Sequence, residues 1–182
     1  MSMYTITRQI CIDAGHRIPW HGSKCKNPHG HRYVIEATCG AKQLHETGEQ
    51  TGMVLDFSFL KAAMIKHIDE PCDHGFMVHI DDSQMLRAFL NDRQLQALPG
   101  KWESAAQDRF ISMFGVGQGE QWKLYIIDKV PTAENLAEHW FNRLTNIVKQ
   151  DSLQYAELLY VDVHETPNCM ARYPVTKPKW MD

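Results

Sequence analysis

The segment Cys25-Lys26-Asn27-Pro28-His29-Gly30-His31 sets a thiol ahead of a His-Gly-His at the start of a strand-forming run. From 32 to 39, Tyr33, Ile35, Ala37 and Cys39 alternate with Arg32, Glu36 and Thr38, the period of a half-buried strand. Residues two apart in an extended chain share a face. His29 and His31 therefore project together, and Gly30 leaves the opposite face bare. Two imidazoles side by side can share a metal ion. A lone His-x-His is more often a surface pair than a ligand pair. Here a third histidine upstream, His16, and a charged cluster at Cys72-Asp73-His74 strengthen the metal reading. Cys25 is close without having to be a ligand.

The first strand spans 3–13, with Tyr4, Ile6, Ile10 and Ile12 on one parity and Arg8 interrupting that face. Residues 19–30 form a polar loop rich in turn formers. If 3–13 and 32–42 pair as a long hairpin, His16 returns beside His29 and His31. Three histidines with an open fourth position is the pattern of a catalytic zinc site rather than a closed structural one. His21 competes for the third place and ranks below His16, because it sits mid-loop with no regular element to fix it.

Further on, Phe57, Leu60, Met64 and Ile68 recur at helical spacing as a core stripe. Asp56 or Ser58 caps that helix, and it should stop before Pro71. Asp73-His74 then precedes a short strand over 76–80. Alone, such a pair is more often a solvated turn than a dyad. Its functional reading is a histidine whose proton affinity and orientation a carboxylate sets. A helix is expected over 83–98, and 99–121 reads as loop with one short helix near 103–113. Gly115, Gly117 and Gly119 are no dinucleotide fingerprint, since they do not follow a strand and open a helix. A strand covers 122–128. A helix begins in Pro131-Thr132-Ala133-Glu134-Asn135 and runs to about 149, capped by Thr132, with Leu136, Trp140, Leu144 and Ile147 inward. The last strand, 157–165, sets Leu159, Val161, Val163 and Glu165 on one face. A carboxylate ending an apolar face is either exposed at the strand end or aimed into a pocket with a partner, because burying it unpaired is costly. The proline-bearing tail, 166–182, reads as irregular.

At 182 residues, 43% hydrophobic and 23% charged, the chain reads as one soluble domain over 1–182. A net charge of −3 gives no nucleic-acid or membrane surface, and no stretch could span a bilayer. The five cysteines contain no CxxC pair. They read as free thiols of a reducing cytoplasm, and only Cys25 has neighbours that argue for chemistry.

Taken in order, His16, Cys25-x3-His29-Gly30-His31, Leu55-Asp56-Phe57 with Leu60-Lys61, Asp73-His74, Pro131-Thr132-Ala133-Glu134-Asn135 and His164-Glu165-Thr166 resemble the 6-pyruvoyl-tetrahydropterin synthase superfamily. The short gap between Cys25 and His29 is most similar to its 6-carboxytetrahydropterin synthase branch, which belongs to queuosine biosynthesis. The resemblance covers most of the chain and leaves a family-variable insert at about 81–128. It implies an α+β tunnelling fold, an antiparallel sheet with two main helices on one face. Copies would join by sheet edges into an oligomeric barrel, commonly a homohexamer, with active sites at subunit interfaces.

The resemblance assigns His16, His29 and His31 to zinc. Cys25 becomes the proton-abstracting base and His74 with Asp73 the second acid–base group. Glu165 anchors the pterin ring, in some descriptions of the family also sharing a relay with the histidine, and Thr166 lies beside it. Lys24, Lys26 and Arg17 are candidate cations for the triphosphate, although such residues are more often solvated surface charge. The implied reaction takes 7,8-dihydroneopterin triphosphate to 6-carboxytetrahydropterin, acetaldehyde and triphosphate, with no redox cofactor. Other readings are a pyruvoyl-forming synthase, a homologue that only removes the side chain, and a non-catalytic zinc-stabilised oligomer. A zinc hydrolase or deaminase lacks its motifs, since neither HExxH nor Pro-Cys-x-x-Cys occurs.

Overall fold

A computed structural model describes residues 3–98, 110–116 and 122–175. Strands β1 (Tyr4–His16) and β2 (His29–Ala41) pair antiparallel in one unbroken register, from Tyr4 opposite Ala41 to His16 opposite His29. The expected hairpin is therefore present and longer than its hydrophobic alternation alone marks. Ile10, Ile12 and Ala14 of β1 and Tyr33, Ile35, Ala37 and Cys39 of β2 are buried on one face. Burying each large apolar side chain contributes about 1.5–3 kcal/mol, so this face fixes the register against a one-residue slip.

Two helical segments cover that face. Helix α1 (Phe57–Met64) starts at Asp56, whose side chain accepts the Ser58 N–H. Leu60, Met64 and Ile68 are buried as expected, but Phe57, in the first turn, is 50% exposed. The helix does not stop before Pro71. A π-helical stretch, Ile65–Asp69, leads into a last turn, α2 (Glu70–Cys72). Pro71 lies at the start of that turn, where its missing N–H is least needed. Helix α5 (Ala133–Asp151) is capped by Thr132, which accepts the Asn135 N–H, and it buries Leu136, Trp140 and Leu144.

The remaining strands are β3 (Phe76–His79), β4 (Phe110–Val116), β5 (Trp122–Ile127), β6 (Glu157–Thr166) and β7 (Cys169–Tyr173). One seven-stranded sheet runs β4-β5-β3-β1-β2-β6-β7. The expectation of an antiparallel sheet is corrected at two joints, because β3 is parallel to both β1 and β5. Each parallel joint needs a long crossover. The stretch through β2, α1 and α2 supplies the first, and the segment from 80 to 121 supplies the second.

That segment departs from expectation in other ways. The single helix over 83–98 is two short ones, α3 (Ser83–Phe89) and α4 (Asp92–Ala97). Leu90 is extended, and Asn91 opens α4 in a reciprocal cap with Gln94. Residues 110–116 are a strand, not part of a loop, while the expected helix near 103–113 falls largely outside the described residues. Met85, Leu86 and Leu90 pack with Val78, Leu124 and Ile126 as a second core. Strand alternation places it on the sheet face opposite α1 and α5. Arg17, just past β1, donates to both carboxylate oxygens of Asp82, the cap of α3, and so ties this layer to the first hairpin. The tail is not wholly irregular either. β7 pairs with β6 and holds Asp162 through two Arg172 hydrogen bonds of 2.7 and 2.8 Å.

All five cysteines are free thiols. Cys39 is buried, which pushes its pKa up to about 12 and makes it inert at neutral pH. Among the described residues, no helix is long and apolar enough to cross a membrane.

His139 of α5 is buried and shares a 2.7 Å hydrogen bond with Tyr125. Burial, helped by the Arg143 and Lys129 charges, lowers its pKa to about 3. The unfolded chain protonates this ring below about 6.5, and the folded chain does so only near 3. The stability from burying it neutral is complete above the unfolded value and is lost as pH falls from there towards 3. His139→Gln should therefore flatten denaturant-measured stability against pH by up to about 1.4 kcal/mol per pH unit in that window. Identical slopes in the two proteins would refute the assignment.

Candidate metal centre

The β1–β2 register brings the last residue of β1 against the first of β2. His16 faces His29, and His31 lies one strand repeat further on the same face. Ring centroids stand 4.5 Å apart for His16–His29, 5.2 Å for His16–His31 and 5.0 Å for His29–His31. One ligating atom from each converges within 4.8 Å of the others. His21 is not in this cluster; its Nδ1 accepts the Ser23 N–H out in the loop.

Backbone carbonyls fix two of the three tautomers. His16 Nδ1 donates to the Pro131 carbonyl at 2.7 Å, and His29 Nδ1 to the Asn27 carbonyl at 2.8 Å. Both rings then present Nε2 as a lone pair, the form a metal needs. The Pro131 carbonyl is positioned by the turn into α5, where Thr132 caps the helix and Asn135 Nδ2 donates to Val130 at 2.8 Å. Burial, with the neighbouring His29 and His31, lowers the His16 pKa to about 4 against the pull of the Pro131 bond. Burial also lowers His31, although Glu165 acts the other way.

Among the described residues, Nε2 of His16 and of His31 are buried without a hydrogen-bond partner. Each such orphan costs about 1–3 kcal/mol. A cation shared by the three nitrogens removes that cost, so the residues fit a divalent ion with three imidazole ligands.

Glu165 comes to this point from the end of β6. Its Oε1 lies 3.4 Å from His16 Nε2 and 3.8 Å from His31 Nε2. The carboxylate is half-buried at the strand end and turned towards these two rings. Tyr33 packs edge-on beneath His16 and His31 at 5.8 and 5.6 Å. Burial and the Glu165 charge both push its phenol pKa up, keeping it neutral.

The Asp73–His74 pair is formed, with Asp73 Oδ2 2.6 Å from His74 Nδ1. It is fastened to β1, since Asp73 accepts the Asp13 N–H and His74 donates its own N–H to Asp13. His74 has a left-handed backbone, φ 54°, a conformation uncommon outside glycine. Burial acts to raise the Asp73 carboxyl, but the Asp13 N–H, the His74 ring and the Lys123 charge outweigh it and hold it below its usual value. Among the described residues, no hydrogen bond or ion pair joins this pair to the three histidines. His74 and His31 border one cavity of about 790 Å³, which Gly15, Gly30, Phe76, Phe89 and Trp122 also line. A Cβ on Gly15 would stand 2.5 Å from the Phe76 ring, so a larger residue there would displace that ring from the cavity wall.

Cys25 sits half-buried in a 3-10 turn, Lys24–Lys26, and its carbonyl accepts the Ile18 N–H at 2.8 Å, which folds the loop back on the end of β1. Its sulfur is not part of the converging cluster. Lys24 is exposed, and its carbonyl closes the same turn onto Asn27. Thr166 Oγ1 accepts the Asn168 N–H at 3.4 Å. Arg17 is bound to Asp82 and Gln84, so it is not a merely solvated surface charge. Sequence reasoning missed Tyr33, Pro131 and Asn27 as parts of the site. Tyr33 reads as core, and the other two act through backbone oxygens that carry no side-chain signal.

The structure is a seven-stranded α+β sheet with a three-histidine cluster, a possible metal site, at one end of its central hairpin. The chain belongs to the 6-pyruvoyl tetrahydropterin synthase family, whose model matches residues 5–175. It is 34% identical over 167 residues to the 6-carboxy-5,6,7,8-tetrahydropterin synthase of Rickettsia conorii, covering 92% of this chain and 97% of that protein. To the protein of that name from Haemophilus influenzae it is 27% identical, covering 94% and 99%. Among solved structures, an uncharacterized protein from Wolinella succinogenes matches with a TM-score of 0.72 at 21% identity, over 97% of this chain and 100% of that one. The 6-pyruvoyl tetrahydropterin synthase of Plasmodium vivax gives 0.58 at 18% identity, over 94% and 97%. These two structures show the shared fold.

His29→Ala or His31→Ala should reduce bound metal after dialysis from roughly one ion per chain to a small fraction. Unchanged metal content by elemental analysis would refute the ligand set.

Proposed function

We propose that the chain is a zinc-dependent 6-carboxy-5,6,7,8-tetrahydropterin synthase acting in queuosine biosynthesis. It would convert 7,8-dihydroneopterin triphosphate to 6-carboxytetrahydropterin, acetaldehyde and triphosphate. The observation that carries this reading is the convergence of His16, His29 and His31 on one point with Glu165 at its edge. The named bacterial relatives add support.

Zinc held by the three imidazoles supplies Lewis acidity towards the side-chain oxygens of the substrate and acidifies the adjoining C–H. Glu165 accepts two parallel hydrogen bonds from the pterin N–H and amino groups, which orients the ring, with Thr166 beside it. Cys25 removes a side-chain proton as the base. The Asp73–His74 pair exchanges a proton at a second position that one base could hardly reach. Ring reduction is internal, so no redox cofactor is required. Lys24, exposed beside Cys25, is available to the triphosphate.

His74 is 78% exposed at its side chain, which suits a group that meets substrate at a subunit boundary. β4 and β7 are the sheet's two edges, and edge strands invite pairing with another copy. Both observations support a homo-oligomer, the family hexamer being the reading we favour.

The test is to incubate zinc-loaded protein with dihydroneopterin triphosphate and identify the products by mass spectrometry. Carboxytetrahydropterin with acetaldehyde is expected. A pyruvoyl product would move the chain to the sister branch, and no product would overturn the proposal. Cys25→Ala should retain zinc and fold while turnover falls by about 10²-fold or more. Full activity in that variant would remove the thiol base.

A further inference from the structure

We propose that Arg17, gripped by Asp82 at the start of α3, is a positioning residue that seats the loop carrying Cys25. This rests on the reading of Cys25 as the base and adds what holds its turn in place.

The hydrogen bonds carry the inference. Successive carbonyls of the chain between β1 and β2 each accept a bond from a residue at the end of the hairpin. That of Cys25 takes the Ile18 N–H at 2.8 Å, that of Lys26 takes Arg17 Nη1 at 3.4 Å, and that of Asn27 takes His29 Nδ1 at 2.8 Å. Arg17 also reaches outside the hairpin. Its Nε donates to Asp82 Oδ2 at 2.6 Å, its Nη2 to Asp82 Oδ1, and its Nη1 to Gln84 Oε1 at 3.1 Å. Asp82 is itself fixed, since its Oδ1 accepts the Met85 N–H at 3.1 Å as the cap of α3. A second contact falls on the same junction between β3 and α3, where Trp20 of the loop packs edge-on against His79 at 5.0 Å.

The burial of the pair favours positioning over stability. The Arg17 side chain is 11% exposed and that of Asp82 2%. A buried ion pair is often no more stabilising than apolar side chains of the same volume, so joining the two layers does not by itself call for one. The guanidinium does what an apolar contact cannot. Its fork sets two N–H groups on the carboxylate and keeps Nη1 for the loop carbonyl. The thiol is thus referred to two frames at once, the histidine cluster through Asn27 and the far layer through Arg17. Cys25 is half-buried in this seat. A loosened loop would expose its sulfur and let it drift from the proton it removes.

Three variants are compared with wild type. Asp82→Asn keeps the helix cap, Arg17→Gln removes the fork, and the double variant leaves no unpaired buried charge, which guards against failure to fold. Alkylation of Cys25 by iodoacetamide, well below the melting temperature, is followed by peptide mapping alongside zinc content, kcat and KM. Expected in all three are several-fold faster alkylation and unchanged zinc. kcat should fall by about 10-fold or more with KM unmoved, and the double variant should be no worse than the single ones, because the two residues act through one another. A purely structural pair would lower the melting temperature and leave alkylation and kcat at wild-type values, and that result would overturn the proposal. A raised KM with kcat intact would also overturn it and set Arg17 on the triphosphate. Faster alkylation with full kcat would confirm the seat and remove Cys25 as the base. Wild-type protein without turnover would overturn the synthase reading, while the alkylation rates still decide this one.

Discussion

One register holds core and site together. The pairing that sets His16 against His29 also sets Ile12 against Tyr33 and Ile10 against Ile35. A slip by one residue would turn the buried apolar set to the opposite face and separate the imidazoles in the same step. The free energy that fixes the register comes from the apolar half of the hairpin, packed under α1 and α5. The histidines themselves oppose folding until something satisfies their buried nitrogens. The candidate metal centre is therefore a polar end grafted on an apolar hairpin that would find its register without it.

Long-range contacts then prepare the histidines. Pro131 is far along the chain, yet its carbonyl decides which His16 nitrogen faces inward. Asn27 does the same for His29 from within the loop. Burial keeps the His16 ring neutral. Orientation, tautomer and protonation state all agree with metal ligation, and the protein supplies each by a different element.

Helices α3 and α4 add a layer on the far side of the sheet. Its second core buries Leu124 and Ile126 against α3. Arg17 links that layer to the residue next to His16. Phe89 of α3 and Trp122 of β5 line the cavity beside His74, so this layer and the sheet together shape the space next to that histidine.

Much of this was legible in the chain itself. Alternation from 32 to 39, the spacing of Leu60, Met64 and Ile68, and the Thr132 cap are local signals, and each element stands where its pattern placed it. His29 and His31 share a face because a strand repeats every two residues, which needs no tertiary information. Two parallel joints, the passage of the helix through Pro71 and the strand at 110–116 were not legible. Each depends on what packs across the sheet or on a turn whose residues carry no period. The sequence by itself determined the ligand types and the hairpin that presents them. Only the tertiary structure decided that the Pro131 carbonyl holds His16 and that Glu165 arrives from β6 beside it. Those choices join residues more than a hundred positions apart, and no local propensity encodes a distance of that kind.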